Sequence, residues 1–145
     1  MKVKIKKTHE GAIIPRYAKP GDAGLDLTAI ERTTDEYGNV VYRTGLAFEI
    51  PEGYVGLIFP RSSVCKYDLA LTNAVAVIDS GFRGEVVCKF KPTVLDSFER
   101  DPRIYEVGER FAQMIILPYP SIEFEETEEL SDSARGTGGY GSSGK

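Results

Sequence analysis

The chain is divided into short runs of Val, Ile, Leu, Tyr and Phe, with Gly, Pro or Asp between most of them. The runs are Val3 and Ile5 alternating with lysines, Leu25–Ala29 after Pro20-Gly21, Val40–Tyr42, Leu46–Ile50, Tyr54–Phe59, Ala74–Ile78, Glu85–Phe90, Met114–Tyr119 and Ile122–Glu125. None is long enough to be a helix, and no window carries apolar residues at the three-and-four spacing by which a helix buries one face. Tyr37-Gly38-Asn39 reads as a hairpin tip, and one short helical turn is expected after Pro60. Many short strands at regular spacing predict an all-β fold, a jelly roll or distorted β-barrel. At 145 residues the chain supports one domain with a real core. We read residues 1–130 as that β domain and residues 131–145 as a flexible C-terminal arm. Lys91–Glu106 is polar and reads as a long surface loop, and Glu123–Glu129 as a solvated acidic edge.

Charge and composition remove several function classes. A net charge of −4 argues against a duplex nucleic-acid binder, which must neutralise phosphates. No apolar stretch is long enough to span a membrane, and the opening Met-Lys-Val-Lys-Ile-Lys-Lys lacks the apolar run of a signal peptide, so a cytoplasmic location is expected. Cys65 and Cys88 are not spaced as metal ligands, and the only histidine is His9, so a zinc site of the His/Cys type is not expected. Cys88 lies within an apolar run and reads as a reduced core thiol.

The last eleven residues read Arg-Gly-Thr-Gly-Gly-Tyr-Gly-Ser-Ser-Gly-Lys, starting at Arg135. Five of the last ten are Gly, so ordering the segment is entropically costly and little apolar surface repays it. Yet it carries a guanidinium (Arg135), a ring (Tyr140), two hydroxyls (Ser142, Ser143) and many free N–H groups, including that of Gly141. Those are the parts of an arm that folds over a nucleotide. A plain Gly/Ser linker has a similar composition. Gly139–Lys145 matches the spacing of a phosphate-binding P-loop through its Lys, but no Ser/Thr and no helix follow.

Four internal segments set polar residues beside glycines. In Gly21–Leu27, Asp26 sits between two Leu of a strand, either facing away from the core or closing a turn. Pro60-Arg61-Ser62-Ser63-Val64 follows a strand end, so Arg61, Ser62 and Ser63 read equally as an anion site or a capped turn. Asn73–Glu85 runs an apolar strand into Asp79, which suits a general base and also suits a hairpin cap. In Gly108–Gln113, Gln113 enters an apolar strand, as a ligand or as a satisfied core amide.

Together with the arm, and in this order, these segments resemble the five motifs of the trimeric dUTPase family. The match spans nearly the whole chain. The resemblance implies a β jelly roll assembled as a homotrimer, with each active site built from three subunits. It implies hydrolysis of dUTP to dUMP and diphosphate by water attack at the α-phosphorus, supplying dUMP for dTTP synthesis and keeping uracil out of DNA. By the same resemblance Asp79 is the base, beside the sugar, and Gln113 holds the water or a phosphate oxygen. Asn73, Val77 and Ile78 line the uracil and deoxyribose pocket. Phe82 packs under the deoxyribose and excludes a 2′-hydroxyl. Arg61, Ser62 and Ser63 hold the phosphates, and Asp26 matches a motif carboxylate that supports the site. Arg135 clamps the γ-phosphate and Tyr140 stacks on uracil, with Gly141, Ser142 and Ser143 closing over the nucleotide. Mg²⁺ is the implied cofactor, held by triphosphate oxygens and water with no direct protein ligand.

The chain departs from the common pattern at Phe82 (usually Tyr), Ala76 (usually Gly) and Tyr140 (usually Phe), and its Lys91–Glu106 loop is longer than in compact members. Two rival readings remain. One is a dCTP deaminase of the same fold, which Gly81-Phe82 resembles; that family needs a Glu where this chain has Lys89. The other is a nucleotide-gated regulatory protein whose arm and long loop bind a partner.

Overall fold

The computed structural model describes residues 1–94 and 101–139. Nine strands are described: β1 Lys4–Lys7, β2 Leu25–Thr28, β3 Glu31–Thr34, β4 Val40–Glu49, β5 Tyr54–Pro60, β6 Leu69–Leu71, β7 Ala76–Ile78, β8 Glu85–Pro92 and β9 Arg110–Pro118. One 3₁₀ turn, Ser62–Lys66, follows Pro60 where the sequence predicts it. One antiparallel sheet has the order β1-β4-β8-β6, with β3 also paired to β4; the other has the order β2-β9-β5-β7. No helix among the described residues is long and apolar enough to cross a membrane.

The two sheets enclose one core, because the strands alternate inward apolar and outward polar residues. Leu27, Tyr42, Leu46, Ile58, Val86, Phe90, Phe111 and Met114 are all fully buried there. Tyr42 anchors it, stacked on Phe111 at 4.9 Å and edge-on to Phe90 and Tyr105 at 5.7 and 6.2 Å. Cys88 is buried on β8, as expected.

Several elements differ from the sequence reading. Val40–Tyr42 and Leu46–Ile50, apart from Ile50 itself, belong to one ten-residue strand whose register with β8 breaks between Arg43 and Ala47. Gly45 makes that break possible: its φ is +65°, and a Cβ there would lie 2.6 Å from Ile30 Cδ1. The strand placed at Ala74–Ile78 begins at Ala76, because Ala74 is left-handed with φ 57°. β9 begins at Arg110, four residues before the expected Met114. Ile122–Glu125 is not a strand, and Ile122 and Phe124 are exposed, with no neighbouring strand among the described residues to pair with. The sequence reading passed over β3 and β6, a polar strand and a three-residue strand whose pairing comes entirely from β4 and β8.

The Lys91–Glu106 segment is not wholly a surface loop. Lys91 and Pro92 complete β8, and Tyr105 is buried, with its ring stacked on Tyr67 at 3.7 Å. Its carbonyl accepts hydrogen bonds from Arg32 Nη1 and Tyr42 Oη, both at 3.0 Å.

Candidate functional site

Strand register brings three of the internal motifs together. Asp26 on β2 lies opposite Gln113 on β9, and Gln113 lies opposite Phe59 on β5, so one row across the sheet ends beside Arg61. Their neighbours Leu27, Ala112 and Ile58 are buried, so Asp26 and Gln113 face away from the core. Asp26, Arg61, Ser62, Arg110 and Gln113 line one depression.

This depression holds two cations around one carboxylate. Asp26 accepts Arg61 Nε at 2.7 Å and Nη2 at 3.4 Å, and Arg110 Nη1 at 2.9 Å. Arg61 Nη1 also reaches Ser63 Oγ at 3.4 Å and the Arg110 carbonyl at 3.2 Å. Arg61 is therefore braced from several sides, whereas half-exposed Arg110 has Asp26 as its one side-chain partner among the described residues. Gln113 Nε2 donates to the Pro60 carbonyl at 3.0 Å, fixing the amide at the strand end. A Cβ on Gly24 would collide with Gln113 Oε1, so this glycine is a matter of space.

The two serines divide. Ser62 is exposed and lines the depression, whereas Ser63 turns back onto the buried Tyr105 hydroxyl at 3.2 Å. Burial raises the Tyr105 phenol above its usual range, so it stays neutral. No side chain caps the 3₁₀ turn, which removes the capping reading for Ser62 and Ser63.

The third motif lies elsewhere. Among the described residues β7 pairs only with β5 and is the edge of its sheet. Val77 points outward and is 60% exposed, while Ile78 packs against the core. The two thus face opposite ways, Val77 toward the outside of the sheet and Ile78 toward the core. Asn73, Asp79 and Phe82 are all exposed, on the turns that flank this short strand. Ile78 pairs with Gly56, and Arg61 follows Pro60 at the far end of β5. At about 3.3 Å per residue, the five positions from Gly56 to Arg61 span about 16 Å. Within one chain, the Asp79 turn and the Arg61 depression do not meet.

Arg135 stands apart from both. Its Nε donates to the Gly138 carbonyl at 2.9 Å within a local turn, and residues around it are exposed. Tyr140, Gly141, Ser142 and Ser143 lie outside the described residues. Arg110 and Tyr105 were not picked out from sequence. The only available signal for Arg110 was a cation three residues before Gln113, and Tyr105 was hidden in a polar segment. Lys89, the position that speaks against deamination, pairs with Asp35 at 2.9 Å on the other sheet.

The dUTPase family profile matches residues 10–144. A deoxyuridine 5′-triphosphate nucleotidohydrolase of Solibacter usitatus is 40% identical, with 100% of this chain and 97% of the relative covered. One from Thermobifida fusca is 39% identical over 99% of this chain and 79% of the relative. Among solved structures, the dUTPase of Staphylococcus bacteriophage 80alpha with dUpNHpp is similar at a TM-score of 0.83 and 31% identity, covering 99% of each chain. The chain belongs to the dUTPase family.

Proposed function

We propose that this chain is a dUTP diphosphatase whose active sites are shared between subunits of a homotrimer. The observation that carries the shared site is the register of β5, which sets the Asp79 turn and the Arg61 depression at opposite ends of one strand. Each half is chemically incomplete. One offers an exposed carboxylate and a strand edge, and the other a pair of guanidiniums with an amide. A threefold assembly lets the Asp79 end of one subunit face the Arg61 end of the next. Exposed Ile122, Phe124 and Leu130, at 68%, 93% and 87%, support a neighbour that covers the stretch after β9.

Uracil reads the free edge of β7. The N–H and C=O groups on that edge complement its N3–H and carbonyl oxygens, whereas cytosine lacks the N3 proton. Phe82 lies beneath the deoxyribose, where a 2′-hydroxyl would lose its water at a cost of about 1–3 kcal/mol. Arg61, Arg110 and Ser62 receive the triphosphate. Asp26 keeps the two guanidiniums aligned and apart until phosphate oxygens take up their remaining donors. Gln113 steadies the water or an α-phosphate oxygen. Asp79 takes a proton from the water as its oxygen bonds to the α-phosphorus, and the bond to the bridging oxygen of the β-phosphate breaks. The products are dUMP and diphosphate. Residues 131–145 act as the closing arm, bringing Arg135 to the γ-phosphate and Tyr140 to the base.

No cluster of three His, Cys, Asp or Glu occurs among the described residues, and Asp26 is already engaged by two arginines. Mg²⁺ would be carried on triphosphate oxygens and water, and would supply charge neutralisation of the diphosphate leaving group.

The test is complementation. Asp79→Asn and Arg61→Ala chains, each inactive alone, are co-expressed so that trimers mix. Random mixing leaves about a quarter of sites with both halves intact, so about a quarter of wild-type activity returns. Gln113→Ala serves as the partner if Arg61→Ala destabilises the fold. A mixture no more active than its separate components would refute the shared site.

A further inference from the structure

Gly84 shares the turn with Asp79 and Phe82 but has no assigned part in the reaction. Its backbone does not require glycine, because its φ lies outside the left-handed region. What it lacks is room: a Cβ there would lie 2.6 Å from Phe82 Cζ and 2.9 Å from Cε2. The Phe82 ring therefore lies back across the bare Cα of Gly84. Phe82 is 42% exposed, and a Cβ on the neighbouring Gly81 would meet nothing within 4 Å. The backbone beneath the ring is braced. Phe82 N–H donates to the Asp79 carbonyl at 3.1 Å, and Arg83 Nη1 donates to the Ser80 and Phe82 carbonyls at 2.5 and 2.9 Å.

We propose that Gly84 is a specificity-determining positioning residue, which by its missing side chain seats the Phe82 ring where it excludes a 2′-hydroxyl. This rests on the role of Phe82 as the floor under the sugar. A single methyl at position 84 evicts the ring, since a ring at the end of an exposed side chain swings aside more easily than the backbone shifts. The same methyl does not strain the backbone and reduces the entropy of the unfolded chain, so it does not destabilise the fold. A defect in selectivity without a defect in stability is the signature.

The experiment measures kcat/KM for dUTP and for UTP, with thermal melting, in Gly84→Ala, Phe82→Ala and the double variant. Gly84→Ala is expected to melt within about 2 °C of wild type and to lose about tenfold in the dUTP/UTP ratio. The ratio changes because UTP turnover rises; a merely structural defect would lower both substrates together. Phe82→Ala loses the ratio as well, and adding Gly84→Ala to it changes nothing further. A normal ratio in Gly84→Ala, with a lost ratio in Phe82→Ala, overturns this inference and leaves the role of Phe82 standing. A normal ratio in Phe82→Ala overturns both.

Discussion

Deletion of Ser133–Lys145 separates the arm's catalytic part from any structural one. Among the described residues of that segment, the hydrogen bonds stay inside it: Gly136 N–H to Ser133, Gly138 N–H to the Arg135 carbonyl, and Arg135 Nε to the Gly138 carbonyl. Nearly all of these residues are exposed. Removing them strips no core residue and leaves no buried donor unpaired, so the loss of stability stays below about 0.5 kcal/mol. With an unfolding entropy of about 2.1 cal/mol/K per residue, that corresponds to a Tm shift under about 2 °C. The catalytic loss is larger. A charge-assisted Arg135–phosphate contact contributes about 1.5–3 kcal/mol, and stacking of Tyr140 on the base about 1–3 kcal/mol. Together these lower kcat/KM by about 10²- to 10⁴-fold. The assay is diphosphate release from dUTP by truncated and full-length chains at matched concentration, with melting curves for both. An unchanged kcat/KM would make the segment a linker. A large fall in Tm would show that it holds the fold together. Either result refutes the reasoning.

Three further outcomes are expected. Asp79→Asn lowers kcat by about 10²- to 10⁴-fold, while affinity for a non-hydrolysable dUTP analogue stays within a few fold; a wild-type kcat would exclude Asp79 as the base. Burial alone would raise the Glu85 carboxyl, but hydrogen bonds from Arg43 and the Gly45 N–H bring it below the usual range. Its stabilisation is therefore complete above the unfolded value of about 4.3 and is lost as pH falls through the depressed folded value, so Glu85→Gln flattens the acid side of a Tm–pH curve. An unchanged acid slope in that variant would contradict the linkage. Burial pushes the Cys88 thiol up to about 12, whereas Cys65 is exposed. A thiol reagent should then titrate one cysteine in the native protein and both after denaturation, and rapid reaction of both in the native state would show that the core is open.

The fold class was legible because strand alternation and turn residues are local signals. The runs at Tyr54–Phe59 and Glu85–Phe90 reappear as β5 and β8, and the turn after Pro60 forms where expected. The legible part ended where pairing depends on distant residues. β3 reads Glu-Arg-Thr-Thr and is a strand only because β4 lies beside it. Tyr105 sits in a polar segment and is buried only because Tyr42, Tyr67 and Phe90 converge on it.

The candidate site divides in the same way. The sequence by itself determined the residue types: a carboxylate between two leucines, a guanidinium followed by two serines, an aspartate after an apolar run, a glutamine entering a strand, and a glycine-rich arm. It carried the family resemblance in their order along the chain. Only the tertiary structure decided which of them meet. The pairing of β2, β9 and β5 brings Asp26, Gln113 and Arg61 to one depression, and the length of β5 holds Asp79 away from it. Register and strand length are set by contacts between segments far apart in the chain, and no local pattern of side chains encodes them.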